Sequence, residues 1–445
     1  MRKIVAFISL IFICLSCMKG KKVDLIFHNA SINLLDDNQT IHQAMAVKNG
    51  RIIETGPERQ ILNKYSSNET IDLQQQKVYP SFICPYVPLN QLLVQIESTD
   101  LSKAQSENAI ITLLEKHFTT SSSSTNFISL NIPLKYLNTE LKTYQLLAEK
   151  YKDKIIVFYS IKQNKGIYKL KKEAFKNIEL TENVQYEWLL KTIQLNFENK
   201  QKNIEKIFTS YLENGYTTLD IPVKNYEDLN IIESRINNKK MTVHLYLTEE
   251  LFKKKLKRKT NRYKGLIVDT LLDLSQQILF AKKHHLQIVF PSNIKEENLK
   301  LIQEELADYS KDHRWKIIIN KPPSKNEFAF YTENNFSILF HSNLNYELKN
   351  DLTYFSIKNN STDPTNFLKL INEQKIIKKD NVLKTLYSQT KWASYQNFEE
   401  LNLGTLEKNK LANFIVISSS INEKNKSSIV PLQIYAKGKV IYNAY

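Results

Sequence analysis

The feature that most constrains the fold is a long alternation of strand-like and helix-like segments in the middle of the chain. From residue 79 to about residue 394, short runs rich in β-branched and aromatic residues are separated by amphipathic stretches of helical length. This alternation predicts a parallel sheet, because parallel strands need a crossover, which is usually a helix. The strand candidates are residues 78–87, 127–132, 154–160, 216–223, 241–247, 286–291, 315–320 and 336–341.

Eight strands alternating with helices over roughly 300 residues predict an α/β fold, a (β/α)8 TIM-like barrel with insertions. Residues 265–269 are expected to form an additional edge or loop strand. In such a barrel the functional side chains lie at the carboxyl ends of the strands.

The two ends of the chain instead carry short strands and tight turns. Asn49-Gly50 separates the strand candidates 45–48 and 51–55, and this dipeptide between apolar pairs is a strong hairpin signal. Neither end holds enough strands for a sheet of its own, so both ends together predict one small β-sandwich. The predicted domains are a signal peptide at 1–17, the first sandwich part at 18–80, the barrel at 81–395 and the second sandwich part at 396–445.

The first 17 residues have the pattern of a bacterial lipoprotein signal. Arg2 and Lys3 precede an apolar run of residues 4–15, which is shorter than the ~20 residues that span a bilayer. The run ends in a lipobox-like Cys-Leu-Ser-Cys, with Cys17 as the lipidated residue. We therefore expect a lipid-anchored protein of the bacterial cell envelope, with the outer membrane as its site. Ordinary secretion and an uncleaved anchor are the alternatives.

Charge and cysteine content limit the classes of partner. The net charge is +16, and the densest basic run is Lys253–Lys259. This run predicts a solvated helix or loop; the alternative is contact with anionic lipid headgroups. Nucleic-acid binding is not expected, because an exported chain without a recognition motif lacks the usual means. After cleavage only Cys17 and Cys84 remain, which gives no disulfide framework and predicts that Cys84 is a core residue.

Glycine is scarce, with 8 residues in 445, against a usual share of about 7%. The middle of the chain contains few glycines, among them Gly166, Gly215 and Gly265. Glycine is used where the backbone takes positive φ or approaches another group closely. The middle of the chain therefore offers few such positions for a site.

Both ends of the chain resemble the amidohydrolase superfamily. The similarity covers residues 23–445 and is specific at the ends, in Asp-Leu-Ile-Phe-His-Asn-Ala from Asp24, Ala-Val-Lys-Asn-Gly-Arg-Ile from Ala46 and Lys-Leu-Ala-Asn-Phe-Ile-Val from Lys410. Gly-Tyr-Thr-Thr from Gly215 and the 263–265 segment are most similar to the subgroup that contains N-substituted formamide deformylase. The resemblance implies a metal-dependent hydrolase fold.

The resemblance also locates the positions where the family binds a divalent metal such as zinc. The family's first barrel strand ends in a His-x-His pair, and here Tyr86 and Pro88 stand at those positions. Asn320 replaces a later histidine, and Asn343 replaces the aspartate that binds metal and moves the proton. Phe290 or Pro291 occupies the place of another histidine. The sequence therefore predicts a degenerate site with no metal and no cofactor.

A rebuilt site is the competing interpretation of the middle of the chain. His244 and His341 lie in strand candidates, and Asp220 and Asp269 lie at strand ends. These four are weak candidates for new chemistry, and a structural role is the preferred interpretation of them. The chain contains no Gly-x-Ser-x-Gly elbow, P-loop or dinucleotide fingerprint.

Three functions are therefore weighed. The leading interpretation is a lipid-anchored pseudoenzyme that serves as a binding or structural module, with a small polar ligand in the barrel mouth. The first alternative is a divergent hydrolase acting on carbon–nitrogen bonds other than peptide bonds. The second alternative is a lipoprotein subunit of a surface complex.

Overall fold

The computed structural model of the chain describes most of its residues in two compact units. The first unit comprises residues 1–87 and 208–445, and the second comprises residues 88–207. The described residues are 20–120, 126–180, 182–193, 197–236, 241–255, 262–268, 271, 273–291, 294–319, 323–341, 355–358, 382–418, 421 and 430–444.

The first unit is built on a parallel sheet with eight described strands. Every neighbouring pair is parallel, and the strands follow one another in chain order. The strands are β1 (Phe82–Cys84), β2 (Tyr216–Val223), β3 (Thr242–Leu247), β4 (Tyr263–Ile267), β5 (Gln287–Phe290), β6 (Lys316–Ile319), β7 (Ser337–His341) and β8 (Phe355–Lys358). Its helices are Glu58–Lys64, Tyr226–Ile236, Glu249–Lys255, Leu274–His284, Glu296–Leu306, Lys325–Glu333, Val382–Ser388 and Lys391–Gln396.

This sheet is strongly curled. Strands β2 and β6 are four positions apart, which is about 19 Å in a flat sheet. Yet Asp220 on β2 and Lys316 on β6 are joined by a contact of 2.6 Å between their side chains. Because these side chains cannot together span the flat distance, the sheet must wrap around them. The mixed α/β fold with a curled parallel sheet is therefore confirmed.

The strands of this sheet are only partly those that the sequence predicted. The candidates 127–132 and 154–160 are wrong as barrel strands, because they pair with each other in a different sheet. Two others take part instead: β4, expected only at an edge or in a loop, and β8, which was not predicted. Local pattern identified 127–132 and 154–160 correctly as strands, whereas sheet membership depends on pairing over long distances in the chain.

The second unit is a small sheet covered by helices on both faces, within the predicted 81–395 domain. Two helices, within residues 107–120 and 142–150, cover one face of this sheet. Two others, within residues 89–97 and 182–193, cover the opposite face. Its strands are Thr99–Asp100, Asn126–Leu130, Ile155–Ser160, Lys165–Lys169 and Lys176–Glu179. Its helices are Leu89–Glu97, Glu107–Thr120, Lys142–Lys150 and Glu182–Ile193, with 3-10 turns at Leu134–Tyr136 and Ile161–Gln163. Helix Phe197–Glu213 crosses the boundary between the units.

The terminal segments of the first unit form two larger sheets and a two-stranded parallel pair of Lys21–Lys22 with Tyr65–Ser66. The four-stranded sheet contains Arg51–Gly56, Ala44–Lys48, Leu25–His28 and Glu69–Asp72. The six-stranded sheet contains Lys439–Asn443, Gln433–Ala436, Phe414–Ile417, Lys77–Pro80, Ser31–Asn33 and Ile41–His42. The predicted hairpin at Asn49-Gly50 is confirmed by the pairing of Lys48 with Arg51. Residues of both sheets, including Phe27 and Phe414, share one hydrophobic core.

The predicted signal peptide and its Cys17 lie outside the described residues. So does the second part of the basic run, residues 256–259. Among the residues that are described, no helix is long and apolar enough to cross a membrane.

Candidate functional site

The inner face of the curled sheet is arranged in two layers. On each of the strands β3, β5, β6 and β7, a polar residue is followed two positions later by an apolar or aromatic one. This spacing puts both side chains on the same face of the sheet. The apolar members form one cluster nearer the carboxyl ends of the strands. The pairs are His244 with Tyr246, Gln287 with Val289, Lys316 with Ile318, and Ser337 with Leu339.

The polar layer is centred on the carboxylate of Asp220. Its Oδ1 accepts hydrogen bonds from His244 Nδ1 at 2.9 Å and from Asn397 Nδ2 at 3.0 Å. Its Oδ2 accepts one from Lys316 Nζ at 2.6 Å, and the same ammonium lies 2.7 Å from Asn397 Oδ1. Asp220 and Lys316 are almost completely buried. A carboxylate with three donors is satisfied internally, which is the condition for burying its charge.

Electrostatics keep Asp220 ionised in this environment. Burial raises the pKa of its carboxyl, but Lys316 and His244 outweigh burial and lower that pKa to about 2. Burial lowers the pKa of Lys316, an effect that the neighbouring Asp220 opposes. The ammonium also lies 4.5 Å from the centre of the Tyr246 ring, a cation–π contact. The cluster is therefore a buried, hydrogen-bonded ion pair.

A turn that follows helix Lys391–Gln396 closes the polar layer. Asn397 binds Asp220 and Lys316, as above, and the backbone oxygen of Gln396 accepts a hydrogen bond from Gln287 Nε2 at 2.7 Å. Glu399 binds Lys264 at 2.8 Å, and its Oε1 lies 3.8 Å from His244 Nε2. This turn therefore caps the side of the sheet opposite the carboxyl ends.

Tyr86 lies on the apolar layer at the other end of the inner face. It is half-buried and packs against Tyr246, Val289, Ile318 and Leu339. This cluster lies nearer the carboxyl ends of the strands, the end at which the active sites of (β/α)8 barrels lie. The buried polar layer lies on the opposite, structural side.

The described residues at the family's metal positions do not fit a metal ion. The phenol of Tyr86 packs on apolar side chains, and Pro88 precedes helix Leu89–Glu97. Phe290 alternates with the inward-facing Val289 and contacts Trp315, with ring centroids 6.0 Å apart. Within the described ranges, no group of three or more His, Cys, Asp or Glu side chains could hold a metal. Asp220 and His244 are in contact, but Asp220 also binds the Lys316 ammonium, which would repel a divalent cation.

Two of the four rebuilt-site candidates come together in the structure. Asp220 and His244 are in contact, whereas Asp269, like Asn320 and Asn343, lies outside the described residues. His341 ends strand β7, and its side chain is outside the described part. Sequence reasoning missed Lys316, Asn397 and Glu399. The lysine in Trp-Lys-Ile-Ile-Ile could have been noticed, since a charge inside an apolar strand requires a buried partner.

The described part of the basic run consists of paired lysines. Lys253 and Lys254 each bind a glutamate one helical turn earlier, both at 2.6 Å, and Lys255 binds Glu233 at 2.7 Å. These contacts favour the interpretation of a solvated helix over a lipid-binding patch.

Comparisons with known proteins identify the fold. No protein-family model matches the sequence, and no curated protein matches it. An uncharacterised metal-dependent hydrolase from Pyrococcus horikoshii OT3 superposes with a TM-score of 0.71 at 14% identity, covering 90% of this chain and 98% of that chain. A similar hydrolase from Pyrococcus furiosus gives 0.66 at 14% identity, covering 89% and 99%. A zinc-bound adenosine deaminase from Xanthomonas campestris gives 0.59 at 10% identity, covering 95% and 94%.

These structures confirm the amidohydrolase-like fold and correct one expectation. The prediction of no cofactor is wrong for this fold, because the proteins that share it include metal-dependent hydrolases and one with bound zinc. At these identities the comparison establishes the fold alone.

Proposed function

We propose that this chain, which has the fold of metal-dependent hydrolases, is a divergent hydrolase acting on carbon–nitrogen bonds other than peptide bonds. The observation that carries the proposal is the superposition on the Pyrococcus horikoshii hydrolase over 90% of this chain and 98% of that one. The deaminase neighbour breaks a carbon–nitrogen bond, which supports this reaction class.

The proposed site is the carboxyl end of the curled sheet, beside Tyr86. The aromatic ring of Tyr86 on an apolar floor favours a substrate with an apolar or aromatic substituent next to the scissile bond. A small ligand at this end would be oriented by that ring. We assign no reaction step to a metal, because the described residues supply no set of ligands for one.

The test is a hydrolysis screen on protein that begins at residue 20. Substrates are N-substituted formamides, N-acyl amines and ring amines, each with and without added Zn²⁺, Mn²⁺ or Fe²⁺. The proposal requires turnover of at least one compound above a heat-denatured control. If no compound is hydrolysed under any metal condition, the hydrolase proposal fails and a binding module becomes the better interpretation.

Variants of Tyr86 locate the site. Tyr86→Ala removes the ring and should raise KM at least tenfold for substrates with an apolar substituent, while Tyr86→Phe keeps the ring and is the matched control. Equal kinetics for both variants would place the site elsewhere.

We propose that the curled sheet closes into a complete (β/α)8 barrel and that the two terminal sheets form a β-sandwich. The contact between Asp220 and Lys316 across the sheet supports closure. The common core of the terminal sheets supports the sandwich. Among the described residues β8 pairs with β7 alone and β1 with β2 alone. An experimental structure with a gap between β1 and β8 too wide for hydrogen bonds or side-chain packing would contradict closure.

We also propose that Cys17 carries a lipid anchor in the bacterial envelope, on the outer membrane. The support is the signal pattern of residues 1–17. Cells fed a labelled fatty acid should label the full chain and leave Cys17→Ser unlabelled. Equal labelling would contradict the anchor, and a protein that co-purifies in mild detergent would favour the surface-complex alternative.

A further inference from the structure

We propose that His244 is a pH-dependent latch that fastens the turn after helix Lys391–Gln396 to the inner face of the curled sheet. His244 is almost completely buried, with 3% of its surface exposed, and lies between two carboxylates. Its Nδ1 is 2.9 Å from Asp220 Oδ1, and its Nε2 is 3.8 Å from Glu399 Oε1. Asp220 belongs to strand β2 and Glu399 to the turn, so the imidazole stands between the sheet and its closing segment.

The charged groups around His244 balance one another when the imidazole is neutral. Asp220 faces it from strand β2, and Lys316 of strand β6 neutralises that carboxylate. Glu399 faces it from the turn, and Lys264 of strand β4 neutralises that one. Two carboxylates and two ammonium groups leave no net charge.

Protonation changes one contact of this arrangement. Since Asp220 is ionised, Nδ1 of His244 must carry a proton and donate it. In the neutral ring, Nε2 then presents a lone pair to the carboxylate of Glu399, which is unfavourable. In the imidazolium, Nε2 presents an N–H and a positive charge to the same oxygen, and a small movement closes the 3.8 Å gap. Imidazoles change charge between about pH 5 and 8.

The turn that this latch holds has contacts with several strands. Gln396 and Asn397 bind Gln287 and Lys316, at the start of strands β5 and β6. Arg314 donates to the backbone oxygen of Tyr395 and stacks on its ring, with the guanidinium carbon 3.6 Å from the ring centre. Fastening Glu399 at low pH therefore tightens the closure of the whole polar layer.

The experiment compares melting temperatures of the 20–445 protein at pH 5.5 and pH 8.0. Glu399→Gln removes the second carboxylate and keeps the side-chain shape; its lost contact with Lys264 is the same at both pH values and cancels. The melting temperature of the wild type should be higher than that of Glu399→Gln, and this difference should be about 2–4 °C larger at pH 5.5 than at pH 8.0. An equal or smaller difference at pH 5.5 overturns the proposal.

A second measurement covers the case in which the variant does not fold. In ¹⁵N NMR of the wild type, His244 should carry protons on both ring nitrogens at pH 5.5 and on Nδ1 alone at pH 8.0. A ring that stays neutral throughout this range overturns the latch. Neither result depends on hydrolase activity, so the latch and the proposed function fail separately.

Discussion

Lys316 Nζ lies 2.6 Å from Asp220 Oδ2, and both side chains are almost fully buried on the inner face of the curled sheet. Removing one member of such a pair leaves a buried charge without its partner. We expect Lys316→Met to lower the free energy of unfolding by about 3–5 kcal/mol. Urea denaturation of the two proteins measures the loss.

The double variant Asp220→Asn, Lys316→Met tests the cause of that loss. It removes both charges, so it should recover a large part of the stability that Lys316→Met loses. Lys254→Met is the control, because Lys254 pairs with Glu250 on an exposed helix face and should change nothing measurable. A double variant as unstable as the single one would contradict the role of the ion pair.

His313 should make the protein less stable in acid. Burial lowers the pKa of its imidazole to about 4, and Nδ1 accepts a hydrogen bond from the Trp315 backbone N–H at 3.0 Å, which needs the neutral ring. A histidine with a lowered folded pKa stabilises above its unfolded pKa of about 6.5, and this is lost as pH falls towards 4.

The measurement is urea denaturation of wild type and His313→Asn at pH 7.5 and 4.5. Asparagine keeps an acceptor for Trp315 and does not titrate. Relative to this variant, the wild type should lose about 2 kcal/mol of unfolding free energy between the two pH values. No relative loss would mean that His313 is protonated in the folded protein.

Gly166 should tolerate no side chain. A Cβ there would lie 2.6 Å from the backbone oxygen of Phe158 and 2.6 Å from Tyr159 Cδ2, inside the small sheet of the second unit. Gly166→Ala should therefore lower the free energy of unfolding by about 1–3 kcal/mol, because the packed sheet must shift to make room for the methyl group. Gly56→Ala is the control, because its nearest neighbour is 3.6 Å away. Hydrogen exchange should show the loss in residues 88–207, and unchanged exchange there would be the contrary result.

Cys84 should be unreactive in the folded protein. It is buried, as the sequence predicted, and burial raises the pKa of its thiol to about 12. Thiolates are the reactive form, so a disulfide reagent should react slowly with the native 20–445 protein and quickly in urea. Fast reaction without denaturant would show that this part of β1 opens readily.

Strand and hairpin positions were largely predictable because they follow from local pattern. The candidates 216–223 and 241–247 agree with β2 and β3 to within one residue. The Asn49-Gly50 hairpin also needs only local information, since the turn determines the pairing. Candidates 127–132 and 154–160 have the same local pattern as barrel strands, and nothing in that pattern says which sheet they join.

The candidate site was less predictable than the fold. The resemblance located Tyr86 and Pro88, and the sequence pattern placed His244 inside a strand. The sequence did not reveal the apolar cluster on which Tyr86 packs, because its side chains come from four separate strands.

By itself, the sequence determined an amidohydrolase-like α/β chain with polar residues inside apolar strands. Only the tertiary structure decided what those polar residues do. Asp220 meets Asn397, 177 positions later, and Lys316, 96 positions later. A charged side chain can be buried only where groups of opposite charge and hydrogen-bonding groups surround it. The curling of the sheet brings these groups together. That curl places the ion pair on the structural side and leaves the carboxyl end of the strands, with Tyr86, for the proposed reaction.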